Sequence, residues 1–213
     1  MRRRSQELDL ARYDTDKIPN NYLRVYDPLF RPLIDRPVKL LELGVRTGGS
    51  LALWRDYFPN GTIAGLDIEP RSVGRIDDRI TVYKGRQEDT ALLSKIAAEV
   101  APDGFDIVID DASHVAAPTR ASFWHLFDHH LKAGGLFAIE DWGTGYWERW
   151  PDGKAWRPDE PHHAGMVGFI KELVDEQGMH DLTRGWYDES WERDSRFESI
   201  HLVSSIAIVR RKP

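Results

Sequence analysis

Not one of the 213 residues is a cysteine. Disulfides, thiolate metal sites and a cysteine nucleophile are therefore excluded, and a reducing compartment such as the cytoplasm suits the chain. Also missing is any apolar stretch near the roughly 20 residues that a membrane span requires. The opening MRRRSQELDL is basic but has no apolar run behind it, which argues against a signal peptide. Excess positive charge is lacking too. The formal net charge is −6, and the arginine groups at Arg2 to Arg4 and at Arg210 and Arg211 read as solvated ends. Neither a nucleic acid nor an anionic membrane is then expected as a partner. There is no internal repeat and no low-complexity tract. With 41% of residues hydrophobic and 30% charged, the composition is that of an ordinary folded domain rather than a disordered chain. A single domain over residues 1–213 is expected.

What is present is an alternation of short apolar runs with helical patterns. Strands are expected at Val38–Gly44, Thr62–Ile68, Arg79–Lys84, Phe105–Asp110, Gly135–Ile139, Ile200–Ser204 and Ser205–Arg210. Between them, Ser50–Phe58 reads as a helix after a glycine-rich turn. Leu92, Leu93, Ile96, Ala97 and Val100 share one helical face, as do Met166, Phe169, Ile170, Leu173 and Val174. Pro118 suits the first turn of a helix running to Leu131. Strand–helix alternation implies βαβ units, hence a mostly parallel, seven-stranded α/β sheet with helices on both faces, Rossmann-like in type. In such sheets ligands bind beyond the carboxyl ends of the strands.

The polar motifs fall at those ends. Glu42-Leu-Gly44-Val-Arg-Thr-Gly48-Gly49-Ser50 follows the first strand. Its glycines permit a tight turn and close approach to a ligand, and the next helix offers free N–H groups. Arg46 stands where G-x-G-x-x-G needs its middle glycine, which disfavours a nicotinamide dinucleotide. Glu42 before the turn suits a cofactor with an amino-acid tail; a purely structural turn is the competing reading. Asp67, with Ile68 beside it, ends the second strand and could accept from both hydroxyls of a ribose, or simply cap a helix. Gly85-Arg-Gln87-Glu88-Asp89 follows the third strand, where an adenine is often met; Asp89 is equally a candidate N-cap.

Asp110-Asp111-Ala-Ser-His114 ends the fourth strand and Glu140-Asp141 the fifth. Neighbouring strand ends would gather up to four carboxylates, a cluster that repels itself unless a cation or a proton relieves it. Carboxylate oxygens favour Mg²⁺, Mn²⁺ or Ca²⁺. Solvated strand-end charges are the blander alternative. The pairs His129-His130 and His162-His163 read as surface or loop residues. Residues 141–165 have no period. Of eight tryptophans, four lie in it, Trp142, Trp147, Trp150 and Trp156, and two more follow at Trp186 and Trp191. So aromatic a loop is expected to be functional, as a lid over a substrate.

Taken together, ELGVRTGGS, LWRDYFP, GLDI, DDASH and IEDWGTGYW resemble the macrolide-sugar O-methyltransferases of antibiotic pathways, which act on deoxysugars such as those of mycinamicin and tylosin. Rhamnosyl O-methyltransferases and the cephalosporin hydroxylase-like group are similar. The likeness runs from about Tyr13 to Tyr146 and returns weakly in the last two strands. It implies a class I S-adenosylmethionine (SAM) methyltransferase fold, with Mg²⁺ (or Mn²⁺) held by Asp111, Glu140 and Asp141 and with His114 as general base. Gly44 and Asp67 match cofactor positions. Glu42, Gly48, Ser50, Ile68, Gln87, Glu88 and Asp110 are placed with them. Asp14-Thr15-Asp16-Lys17 looks like a family element near the cofactor, so residues 1–35 are expected to cover it through Thr15 and Lys17. Where relatives usually carry glycine in DDGSH this chain has Ala112, which is tolerated if its φ is not positive.

The implied reaction is in-line displacement at the sulfonium methyl by a sugar hydroxyl. Metal coordination would lower the hydroxyl pKa, Asp111 sharing in catalysis, and His114 would take the proton. Trp142, Tyr146, Trp147 and Trp150 would cover the site and pack on the sugar, or else merely close the core beneath the lid. A phenolic acceptor and a non-catalytic SAM-binding module are the alternatives. A homodimer is compatible with the sequence, but the oligomeric arrangement of the longer macrolide enzymes does not carry over.

Overall fold

The computed structural model describes residues 4–183 and 193–213, so Arg2, Trp186 and Trp191 lie outside the described residues. Runs such as Leu40, Leu41 and Leu43 have no polar alternation because both faces of their strand are covered. These runs form an eight-stranded sheet: β1 (Lys39–Leu43), β2 (Thr62–Asp67), β3 (Gly74–Arg75), β4 (Ile80–Lys84), β5 (Phe105–Asp110), β6 (Leu131–Glu140), β7 (Phe197–Val203) and β8 (Ile206–Arg211). Their order across the sheet is β3-β4-β2-β1-β5-β6-β8-β7. The pairs β4–β2, β2–β1, β1–β5 and β5–β6 are parallel; β3–β4, β6–β8 and β7–β8 are antiparallel.

The expectation of seven strands is corrected to eight. The addition, Gly74–Arg75, is a two-residue edge arm too short to carry any apolar period. β6 also begins earlier than Gly135, because Leu131 pairs with Phe105 across a register irregularity. The helix before it ends accordingly at His129 rather than Leu131.

Among the described residues, six α-helices surround the sheet: α1 (Leu23–Phe30), α2 (Gly49–Tyr57), α3 (Thr90–Val100), α4 (Ala116–His129), α5 (Gly165–Gln177) and α6 (Met179–Thr183). α1 and α2 cover one face, where Tyr26, Phe30, Trp54, Tyr57 and Phe58 pack ring against ring beneath Ile107 and Ala138. α3, α4 and α5 cover the other, with Phe123, Phe127, Phe137 and Phe169 at its centre. Asp89 caps α3, its side chain accepting from the Leu92 N–H at 3.0 Å, which settles its open reading in favour of the cap. Among the described residues no helix is long and apolar enough to cross a membrane.

The 141–165 segment is not shapeless. Asp141 takes a left-handed conformation, φ 52°, and starts a short 3₁₀ helix, Trp142–Tyr146. Consecutive turns follow, closed by Trp147 N–H to Thr144 O (2.9 Å), Trp150 N–H to Trp147 O (2.9 Å) and Gly153 N–H to Trp150 O (3.1 Å). Turn hydrogen bonds of this kind have no apolar signature, so the missing period concealed local order.

Candidate active site

The chain leaves β1, runs out through β2 and β4, then returns to β5 on the opposite side of β1. That reversal splays the loops at the carboxyl ends of β1 and β5 and opens a crevice there. A cleft of about 440 Å³ occupies it, lined by Asp14, Thr15 and Asp16 from the N-terminal segment and by residues following β1, β2, β4 and β5.

Gly44 shows why the turn after β1 must be glycine. Its φ is +87°, and a Cβ there would stand 2.1 Å from the Asp111 carbonyl oxygen. Gly48 is also left-handed, and a Cβ on Gly49 would strike the backbone of Asp14 at 1.9 Å. The N-terminal segment is thus laid directly on the start of α2. Asp67 Oδ2 accepts the N–H groups of Val45 and Arg46, each at 2.8 Å, and Oδ1 that of Glu69 at 2.8 Å. Burial opposes the Asp67 charge, but these backbone donors outweigh it and hold the carboxyl below its ordinary value.

Of the residues placed with a cofactor by sequence, Thr15, Gly44, Ser50, Asp67, Ile68, Gln87 and Glu88 line this cleft, as do Asp111 and His114. Lys17, Glu42, Gly48 and Asp110 do not line it. Gly48 shapes the turn. Glu42 is fully buried, accepting from Ser50 Oγ at 2.7 Å. Asp110 is buried behind Gln87, whose amide donates to both its oxygens, and burial pushes its carboxyl up to about 6. Lys17 lies below the cleft floor. Arg46 and Ala112 also line the cleft, as do Thr47, Arg86 and Ser113, which were not singled out. Ala112 is not among the residues with positive φ, so alanine fits its position.

Lys17 has the least expected environment. It is fully buried, and its ammonium lies 2.6 Å from Asp111 Oδ2, 2.9 Å from Glu140 Oε2 and 3.1 Å from Glu42 Oε1. Burial disfavours the ammonium, yet the carboxylates of Glu140, Glu42 and Asp111 outweigh it and hold its pKa well above the ordinary value. Burial in turn pushes all three carboxyls up. The other oxygen of Glu140 accepts from Tyr26, and Asp141 accepts from Tyr22. Tyr22 and Tyr26 were not singled out in the sequence; their spacing of four, one helical turn, is the signal that could have paired them.

Glu140, expected as a metal ligand, is paired here with Lys17 and Tyr26, as Asp111 is with Lys17. The group whose ligand atoms come within 4.8 Å of one another is Asp111, His114 and Asp141. Two carboxylate oxygens and an imidazole suit a divalent cation such as Mg²⁺ or Mn²⁺. The surroundings agree, since one ammonium faces three carboxylates and Asp141 adds a fourth. His114 Nε2 stands 3.8 Å from Asp111 Oδ1 and 3.9 Å from Asp141 Oδ2, too far for hydrogen bonds.

In the following segment Tyr146 and Trp147 are exposed and are not among the residues lining the cleft, whereas Trp142 packs against the core and its indole N–H donates to Val203 O at 3.0 Å. Trp142 is thus held to the β7–β8 hairpin. His162 is buried beneath the segment, 4.8 Å ring to ring from Tyr146.

No family model matches the chain. Curated relatives do. It is 36% identical over 195 residues to mycinamicin VI 2''-O-methyltransferase of Micromonospora griseorubida, covering 87% of this chain and 47% of that protein. It is 37% identical over 182 residues to the 3'-O-methyltransferase of 8-demethyl-8-(2-methoxy-alpha-L-rhamnosyl)-tetracenomycin C from Streptomyces olivaceus, covering 81% and 45%. Among solved structures, the MycE methyltransferase of the mycinamycin biosynthetic pathway, in complex with Mg and SAH, superposes with a TM-score of 0.74 at 34% identity, covering 89% of this chain and 48% of that one. The chain is a relative of the sugar O-methyltransferases. It has their Rossmann-like methyltransferase fold and spans about half the length of the curated sugar O-methyltransferases it matches.

Proposed function

We propose that the chain is a SAM-dependent O-methyltransferase acting on a sugar hydroxyl of a glycoside, an oligosaccharide or a glycosylated natural product, with a divalent cation at Asp111 and Asp141. The observation that carries this reading is one of adjacency: Asp111 lines the cleft and, with Asp141, offers carboxylate oxygens for a cation, while His114 Nε2 stands 3.8 and 3.9 Å from the two of them. A methyl donor and an activated hydroxyl would meet there. The relatives named above methylate sugar hydroxyls, and MycE is complexed with both Mg and SAH.

Bound at these places, SAM supplies an electrophilic methyl group and the cation lowers the pKa of the acceptor hydroxyl. The chain's own residues do the rest. Asp67 offers oxygen lone pairs to a ribose, and Gln87 and Glu88 border the base. The Asp14–Asp16 strap closes the cleft against water. His114 takes the hydroxyl proton at Nε2. The C–O bond forms as the S–C bond breaks, and the electron pair stays on sulfur. Tyr146 and Trp147 offer apolar faces to a sugar ring.

The test is incubation with labelled SAM and a panel of glycosides and simple phenols, with Mg²⁺ and with chelator. Label is expected in a glycoside and lost with chelator. Label in phenols alone would overturn the choice of a sugar. Asp111→Ala is expected to abolish Mg²⁺ stimulation. His114→Ala should lower kcat by roughly 10²- to 10⁴-fold.

A further inference from the structure

The backbone that carries His114 is unusual. Its φ is +51°, in the left-handed region that non-glycine residues rarely adopt. Such a conformation persists only when its surroundings over-determine it. Here the surroundings are the 141–153 turns. The carbonyl oxygen of His114 accepts two side-chain hydrogen bonds from them, Trp150 Nε1 at 2.8 Å and Thr144 Oγ1 at 3.1 Å. Two residues on, the Ala116 N–H donates to Asp152 Oδ2 at 2.7 Å, at the start of α4. The Trp150 ring also stands 5.9 Å from the His114 ring. Thr144 is buried.

We infer that Trp150 and Thr144 are positioning residues: their two hydrogen bonds to the His114 carbonyl hold the left-handed backbone that aims the His114 imidazole at the acceptor oxygen. The inference rests on the reading of His114 as the base. It gives the tryptophan-rich segment a second duty besides covering the substrate, since the segment that meets the sugar also sets the base. Trp150 acts through its indole N–H, so removing that donor while keeping an aromatic ring isolates the effect.

The test combines a double-mutant cycle with a measurement that needs no activity. Trp150→Phe is expected to lower kcat roughly 10- to 100-fold with little change in acceptor KM or SAM affinity, as misplacement of a reacting group does. Thr144→Val should act in the same direction, and Thr144→Ser should recover most of the loss. In a His114→Ala background, Trp150→Phe should cost nothing further, because the group it positions is gone. An equal further loss in that background overturns the inference while leaving the base assignment standing. A His114→Ala enzyme with wild-type kcat overturns both. Separately, the imidazole ¹³C–¹H signal of His114, assigned by its absence in His114→Ala, should shift or split in Trp150→Phe while those of His125, His129 and His130 stay in place. An unmoved His114 signal overturns the inference whatever the substrate proves to be.

Discussion

Glu42, Asp111 and Glu140 converge on Lys17 at 2.6–3.1 Å with almost no solvent to share the charge. Removing the only ammonium among them would leave buried carboxylates unpaired, which is far costlier than never having had the pair. Lys17→Met is expected to destabilise the fold by about 3–5 kcal/mol, read as a lower urea midpoint at unchanged slope. An unchanged midpoint would mean that protons already neutralise the cluster. Gly44→Ala tests the opposite kind of constraint, space rather than charge. With φ at +87° and the Asp111 carbonyl 2.1 Å from the new Cβ, either β1 or the β5 loop must shift. Loss of S-adenosylhomocysteine binding together with a lower melting temperature is expected in calorimetry. At this scale the sequence was legible where spacing alone decides. Gly44, Asp67 and the Asp110-Asp111 pair could be placed at strand ends from a few neighbouring residues. The partner of the acidic pairs could not, since Lys17 is 94 residues from Asp111 and no local pattern joins them. The self-repulsion argument asked for a cation, and the chain supplies one, the Lys17 ammonium, to Glu42, Asp111 and Glu140; Asp111 and Asp141, with His114 beside them, are also grouped closely enough to hold a metal.

Elements are joined most firmly where a buried charge spans two of them. Glu176, near the end of α5, accepts from Arg193 at 2.7 and 3.0 Å and from the Arg196 backbone N–H at 3.0 Å. It thereby fastens α5 to the chain entering β7. Burial disfavours its charge, but hydrogen bonds from Arg193 and Arg196 prevail and lower its pKa from 4.5 to about 2. A carboxyl depressed in the folded state contributes stability that is full above its unfolded value and disappears as pH falls through the folded one. Glu176→Gln should therefore cost about 2 kcal/mol near pH 7, allowing for solvent around the two arginines. The difference between wild type and variant should shrink between pH 4.5 and pH 2. A constant difference across that range, measured by denaturant titration, would contradict the assignment. Element by element, the sequence revealed strands and helices with clean apolar periods, such as β1, β5 and α3. It missed α1, because Pro28 within Leu23–Phe30 advertises a break. Burial of Leu23, Tyr26 and Phe30 against α2 overrides that local signal. The turns after Asp141 were missed for a related reason, being built from hydrogen bonds rather than apolar faces.

For the molecule as a whole, alternation of strands and helices was enough to anticipate a mostly parallel sheet and a ligand crevice at its carboxyl edge. The edge arm β3 and the antiparallel order of β8 and β7 beside β6 affect the rim rather than the crevice. The crevice can also be asked which nucleotide it accepts. A dinucleotide fold keeps N–H groups of its glycine turn free for a pyrophosphate. Here they are committed: Gly44 N–H to Leu66 O at 2.8 Å, Gly48 N–H to Val45 O at 2.8 Å, and the N–H groups of Val45 and Arg46 to Asp67. An adenosine with a short amino-acid tail makes no demand on those donors. S-adenosylhomocysteine at 100 times its Kd should therefore stabilise the fold by about 2.7 kcal/mol, a rise of roughly 5–10 °C in Tm for a domain of this size. NAD at the same concentration should leave Tm unchanged. A rise with NAD and none with S-adenosylhomocysteine would mean that the turn rearranges to free its N–H groups. The methyltransferase reading of the cleft would then fail, even with the sheet order intact.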